Sequence, residues 1–309
     1  MINNEYYFCV DYILPYIDFT QEEIQQLYKK ITGTDYVNDD NSTYIDLTLS
    51  LKLILKNLPF LNKIYITCKD VQKLPDSTEQ LINELKGKIV RVNESEFMPD
   101  NYISFSPGCI EMFIWKIPGL SEHFIYSNDD MFICKEMNVN NFFSTNINNT
   151  PIMEYHNHSY NYCCLYDLWG ANVNNLIYNK IKNNDNYQDR KVSLHSLRPL
   201  LKSICKQCFD KYKDFIMNSL THIRFFNNFY IDLFTIYGLK NNLVENKINY
   251  TFKYIVANNK DITNMINMTY EELPSVLCCN DAIESTEHIN ELADTLNIFL
   301  NKLLKDGYK

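Results

Sequence analysis

The chain has 309 residues, 46% hydrophobic and 14% aromatic, which supplies a core for one large or two small domains and excludes disorder as the default. A formal net charge of −9 and a pI near 5.2 exclude a protein that grips nucleic acid through a basic face. No run reaches the roughly 18–20 uninterrupted apolar residues of a membrane span, and the opening MINNEYYFCVDYILPYID carries acids inside its apolar run, unlike a signal peptide.

In chain order, the first half alternates apolar runs with helical patterns. Phe8 to Leu14 reads as a strand, and Gln21 to Ile31 as a polar amphipathic stretch. Leu47 to Leu58, Lys63 to Thr67, Thr78 to Leu85 and Lys88 to Val92 continue the alternation, followed by a helix from about Cys109 and a strand from His123 to Tyr126. Short β-rich runs separated by helices indicate βαβ units around a mostly parallel sheet with flanking helices, an α/β fold. Ligands collect at the carboxyl ends of strands in such sheets, and the segments Asp11 to Asp18 and Asn128 to Asp130 both end or follow strand-like runs. Residues 135 to 190 are rich in Asn and Tyr with weak periodicity, which predicts a long mobile connection lying over or beside that crevice. Helical spacing then dominates: Leu197 to Met217, Ile231 to Tyr237, and a final stripe of Ile289, Leu292, Leu296, Phe299 and Leu303. A helical C-terminal part is expected.

The 10 cysteines include the vicinal pairs Cys163-Cys164 and Cys278-Cys279, which bridge poorly, and a chain of this length is stable without staples; a soluble, unprocessed chain in a reducing cytoplasm is expected. Cys205-Lys-Gln-Cys208 has metal-ligand spacing but lacks a second pair and falls in a helical pattern, while His156-Asn-His158 offers two ligands on one side of a strand. Neither is assigned a catalytic role.

The sharpest local anomaly is SEHFIYSNDDMF, where His123-Phe124-Ile125-Tyr126 runs into two adjacent carboxylates and then returns to Met131-Phe132. Taken alone, an Asn-Asp-Asp cluster is commonly a turn or a helix N-cap. Its neighbours add more. Asp11-Tyr-Ile-Leu-Pro-Tyr-Ile-Asp18, the run LPFLNKIYIT, the run IEMFIWKIPGLSEHFIYSNDDMF, the pair LHSLRPLLKS and THIRFFNNFYID, and LPSVLCCND occur in that order. Together they resemble the four regions of the stealth family, sugar-1-phosphate transferases of microbial capsule synthesis related to the transferase of the lysosomal mannose-phosphate tag. The match from Leu47 to Phe143 is the longest.

The resemblance implies a single catalytic domain over residues 1–309. An α/β nucleotide-sugar-binding part at 1–145 would be followed by a variable connection at 146–190 and a helical part at 191–309 that completes the active site. It makes Asp129 and Asp130 ligands of a divalent cation, Mg²⁺ or Mn²⁺, and hard carboxylate oxygens are what such ions prefer. Glu111 becomes a second acid, His195 the base that deprotonates an acceptor hydroxyl, and Arg224 a phosphate clamp; Asp11, Asp18, Lys52 and Asn128 become donor-binding. Histidine suits that base because imidazoles as a class titrate near neutrality, and arginine offers a planar fork to phosphate. Asp11, Glu111, Asp130, His195 and Arg224 are expected in one crevice.

The implied reaction moves a hexose-1-phosphate from a UDP-sugar, for instance a UDP-N-acetylhexosamine, to a glycan hydroxyl. Its partners are therefore a sugar nucleotide and a glycan, with peripheral association to a capsule-assembly complex at the inner face of the membrane. Departures from the family pattern are Phe19-Thr-Gln in place of its G-S-D, Lys52 for Arg, Glu94 for His, Ser106-Pro107 for Asn-Ser, and His222 for the first Arg of S-R-F-R. A UDP-releasing glycosyltransferase and an inactive glycan-binding relative are the competing readings.

Overall fold

A computed structural model describes residues 8–37, 46–146, 148–158, 165–178, 190–256, 259–280 and 287–305. The first half contains β1 (Val10–Pro15), α1 (Glu22–Thr32), α2 (Leu47–Asn57), β2 (Ile64–Cys68), α3 (Asp76–Glu84), β3 (Ile89–Asn93), α4 (Pro107–Glu111), β4 (His123–Tyr126) and β5 (Met131–Ile133). Then come β6 (Ile152–Met153), β7 (Tyr155–His158), α5 (Leu165–Tyr178), β8 (Arg190–Ser193), β9 (Arg198–Leu201), α6 (Lys202–Asn218) and α7 (Asp232–Lys240). The chain continues through β10 (Glu245–Asn246), β11 (Phe252–Val256), α8 (Asn259–Ile266), β12 (Val276–Asn280) and α9 (Glu287–Leu304).

The main sheet has the order β3-β2-β1-β4-β9, with β1 to β4 parallel and β9 antiparallel to β4. The mostly parallel α/β sheet expected from the alternation is therefore present. Side-chain alternation along β1 feeds two cores: Tyr12 and Leu14 pack with α2 residues Leu51 and Ile54, while Ile13 joins the aromatic core of Phe113, Phe124 and Phe234. A second sheet, β11-β12-β5, packs against α2 and α9, with Phe132, Leu277, Leu296 and Phe299 fully buried there. Among the described residues, no helix is long and apolar enough to cross a membrane.

Three expectations change. The helical pattern expected over 197–217 begins only at Lys202, because Arg198 to Leu201 form β9. Pro199 is tolerated there since β9 is an edge strand of the sheet. The segment expected to be a connection holds β6, β7 and α5, and Trp169 of α5 is buried on the crevice wall. Residues 159–164 and 179–189 of that segment, including Cys163 and Cys164, lie outside the described residues. Strands β8, β9, β11 and β12 also show that the C-terminal part is not purely helical.

Candidate functional site

The turn Asn128-Asp129-Asp130 carries the chain from β4 in the main sheet to β5 in the second sheet. This explains two carboxylates between core strands: both flanking runs are buried, and the link between the sheets surfaces at their shared edge. Turn chemistry and a half-buried acidic pair are satisfied by the same three residues.

Two antiparallel strands bring distant side chains to this turn. In β9, Arg198 pairs with Tyr126, so the start of β9 lies at the carboxyl end of β4, with His195 just before it. In β12, Cys278 pairs with Met131, and the Cys279 amide donates to the Asp130 carbonyl at 2.9 Å. As a result, His195 Nε2 lies 3.5 Å from Asp130 Oδ2, and the Cys278 thiol donates to the same oxygen at 3.2 Å. Burial, followed by the Asp130 carboxylate, pushes the Cys278 thiol well above its ordinary value. It therefore acts as a hydrogen-bond donor to Asp130.

Asp130 Oδ1 is buried and accepts no hydrogen bond from the described residues. An orphaned carboxylate oxygen beside Asp129 and Asn128 fits a hard divalent cation. Asp130, His195 and Cys278 also place one potential ligand atom each within 4.8 Å of one another. A protonated thiol makes that mixed set the poorer fit, because thiols bind metals as thiolates. The residues that would hold a cation are Asp130 and Asp129, with Asn128 at hand.

Together with Glu111, His195, Arg198 and Arg224, these residues line one cavity of about 370 Å³ at the carboxyl end of the main sheet. Glu111 is buried there, one oxygen accepting from Tyr126 Oη at 2.9 Å and the other from the Ile231 amide at 2.8 Å. Burial raises its pKa, against the pull of those two donors. Its first role is to lock α4 to β4 and to the 229–231 segment, while its remaining lone pairs are available to the crevice.

Sequence reasoning missed two cations on this wall. Arg198 is buried, with Nε 3.3 Å from Asp232 Oδ1 and NH1 donating to the Ser196 carbonyl. Asp232 also accepts from Tyr230 Oη at 2.8 Å, so the guanidinium is fixed in direction. Lys69 pairs with Glu94. Only proximity to the quoted motifs, SLRP for Arg198 and KIYITCK for Lys69, could have signalled them.

Three sequence-named residues lie outside the crevice. Asp11 is fully buried near the amino end of β1, accepting from Asn62 Nδ2 at 2.9 Å, the Lys63 amide at 3.1 Å and the Ser121 amide at 2.7 Å. That end is about 16 Å of strand from the carboxyl edge, so its carboxylate ties loops together there instead of meeting a donor. Asp18 closes the turn that precedes α1, accepting from the Thr20 amide at 2.9 Å and from Gln21 Nε2 at 3.2 Å. Lys52 is exposed on the outer face of α2. His222, at the family's Arg position, bonds the Ile103 carbonyl through Nδ1 at 2.7 Å and stacks on Tyr102. Cys205 and Cys208 are buried in the core beneath α6, and the side chains of His156 and His158 lie outside the described residues.

Residues 36–150 match the family model "Stealth protein CR2, conserved region 2". A capsular polysaccharide phosphotransferase of Neisseria meningitidis serogroup B is 30% identical over 45% of this chain and 39% of its own. The capsular polysaccharide phosphotransferase SacB of Neisseria meningitidis serogroup A is 34% identical over 45% of this chain and 25% of its own. The chain thus spans about two fifths or less of these curated relatives. Among solved structures, the apo WbbM bifunctional glycosyltransferase aligns with a TM-score of 0.49 at 9% identity, over 97% of this chain and 51% of that one. The chain thus carries a match to conserved region 2 of the stealth family, with Asn128-Asp129-Asp130 inside the matched residues.

Proposed function

We propose that this crevice transfers a sugar-1-phosphate from a UDP-activated sugar to a glycan hydroxyl, releasing UMP and leaving a phosphodiester in a capsular or extracellular polysaccharide. One observation carries the reading: Asp129, Asp130, His195, Arg198 and Arg224, from three separate segments, line a single cavity at the carboxyl edge of the sheet. Named capsular phosphotransferases among the relatives support it.

In the step, the acceptor oxygen attacks the β-phosphorus and the bridging P–O bond breaks, its oxygen leaving with UMP. The acceptor proton passes to the His195 imidazole, and the Asp130 carboxylate 3.5 Å away stabilises the imidazolium formed. Arg198, aimed by Asp232, and Arg224 at the rim offset charge on the phosphoryl oxygens. A Mg²⁺ or Mn²⁺ ion held by Asp130 and Asp129 supplies neutralisation of the diphosphate when bound. The donor is a cytoplasmic metabolite, which sets the working chain in the cytoplasm, peripheral to a membrane-bound assembly.

The test is incubation with a panel of UDP-sugars, a glycan acceptor and Mg²⁺ or Mn²⁺, identifying the nucleotide released. UMP whose release stops with a chelator and with Asp130→Asn in a folded protein is the expected result. Release of UDP instead would make the chain a glycosyltransferase, and full activity in chelator would remove the cation from the mechanism.

A further inference from the structure

The crevice extends well beyond the acidic turn. With the strand order β3-β2-β1-β4, three interstrand spacings, about 14 Å, separate the end of β3 from the end of β4. At the far end stand Lys69, just after β2, and Glu94, the first residue after β3, paired at 2.5 Å with side chains 3% and 12% exposed. Both line the cavity. A buried ion pair is weak as a stabilising device because desolvation offsets the attraction, so its position on a cavity wall points to use by a ligand. Lys69 also donates to the Ser104 carbonyl, whereas Glu94 Oε1 accepts from none of the described residues.

Beside the pair is a flat apolar wall. The Lys69 ammonium lies 4.8 Å from the centroid of Phe105, and Phe19, 6.0 Å from Phe105, stacks on Tyr36 at 4.1 Å and 4°. Phe19 and Phe105 both face the cavity. Aromatic faces next to one acceptor and one donor are the complement of a nucleobase, which has π faces and an edge of N–H and carbonyl groups. The separation from Asp130 matches the reach of an extended nucleoside diphosphate. A phosphate fits poorly at the far end, since Glu94 cancels the charge of Lys69.

We propose that Lys69, Glu94, Phe105 and Phe19 hold the base of the donor nucleotide, with Glu94 accepting from the ring N–H of uracil and Lys69 donating to the adjacent carbonyl oxygen. This deepens the phosphotransfer reading and rests on its nucleotide donor. It also gives Glu94, a departure from the family's His, a specificity-determining part.

The test is calorimetric binding of UDP and of inorganic pyrophosphate, each with Mg²⁺, to the wild-type chain and to Lys69→Met/Glu94→Leu. The double change leaves neither charge stranded and no acceptor for the ring N–H; if it fails to fold, Phe19→Ala, which removes part of the apolar wall, is read by the same titrations. The wild type is expected to prefer UDP over pyrophosphate by about tenfold or more, and the variant to lose that preference while keeping its pyrophosphate affinity. A folded variant that keeps the preference overturns this inference and leaves the phosphotransfer reading standing. Equal loss of both ligands makes the pair a phosphate site and also overturns it. A wild type that binds no UDP removes both.

Discussion

His195 and Arg224 are both cationic candidates on one cavity wall, and their surroundings separate them. His195 faces Asp130, whereas Arg224 sits exposed at the rim in the 219–228 loop. Replacing His195 with Ala is expected to lower kcat by about 10²- to 10⁴-fold with donor KM nearly unchanged, because a base acts in the transition state. Arg224→Lys keeps the charge but loses the fork, so kcat/KM should fall by about 10- to 100-fold, with donor KM rising. Steady-state kinetics on both variants decides this. If His195→Ala instead weakens donor binding as much as it slows turnover, His195 is a phosphate ligand. Of the residues named from the sequence, the structure brings these two, Glu111 and the Asn128 to Asp130 turn to one cavity and leaves Asp11, Asp18 and Lys52 off its lining. The motif from Asp11 to Asp18 spans a whole strand, so its two ends face opposite edges of the sheet, and a one-dimensional pattern does not say which edge holds the ligand. Arg198 and Lys69 went unread because sequence shows a charge without its partner.

At the scale of elements, α4 is a short hinge-pin between β4 and the segment before α7. A Cβ at Gly108 would meet the Phe229 carbonyl oxygen at 2.3 Å, a backbone atom unable to swing aside. Gly108→Ala is therefore expected to destabilise the fold by about 1–3 kcal/mol and to lower Tm by several degrees, measured by thermal melts. Glu111, one turn further on, makes a prediction with a sign. Burial raises its pKa above the ordinary 4.5, so between that value and its folded value the native state binds more protons than the unfolded one, and the Glu111 contribution to stability is lost as pH rises. Glu111→Gln removes the charge and keeps one acceptor oxygen, for the Ile231 amide, while its new NH2 group can donate to the Tyr126 hydroxyl oxygen. Its stability relative to wild type should thus improve from about pH 4 towards neutrality in denaturant titrations, and a difference constant with pH would contradict this. Neither the close approach at Gly108 nor the orientation of β9 is written in local periodicity. Both depend on contacts between segments about 70 or more residues apart, Gly108 against Phe229 and β4 against β9.

For the whole molecule, the parallel sheet was legible because its strands are largely apolar runs, buried on both faces and separated by helices, the pattern a doubly covered sheet imposes. The second sheet was not. Its β5 is three residues long and pairs with β12 some 145 residues later, so no local signal marks it; yet this pairing brings Cys278 to Asp130 and opens the crevice at the junction of the two sheets. In the proposed reaction, a phosphorus atom changes partners at that junction. The most direct measurement follows the atom itself, using a UDP-sugar labelled with ³²P at the β-phosphorus, Mg²⁺ or Mn²⁺ and a glycan acceptor. Label recovered in the glycan, with unlabelled UMP released, is the predicted result; label retained in UDP, with an unlabelled glycan product, would contradict it.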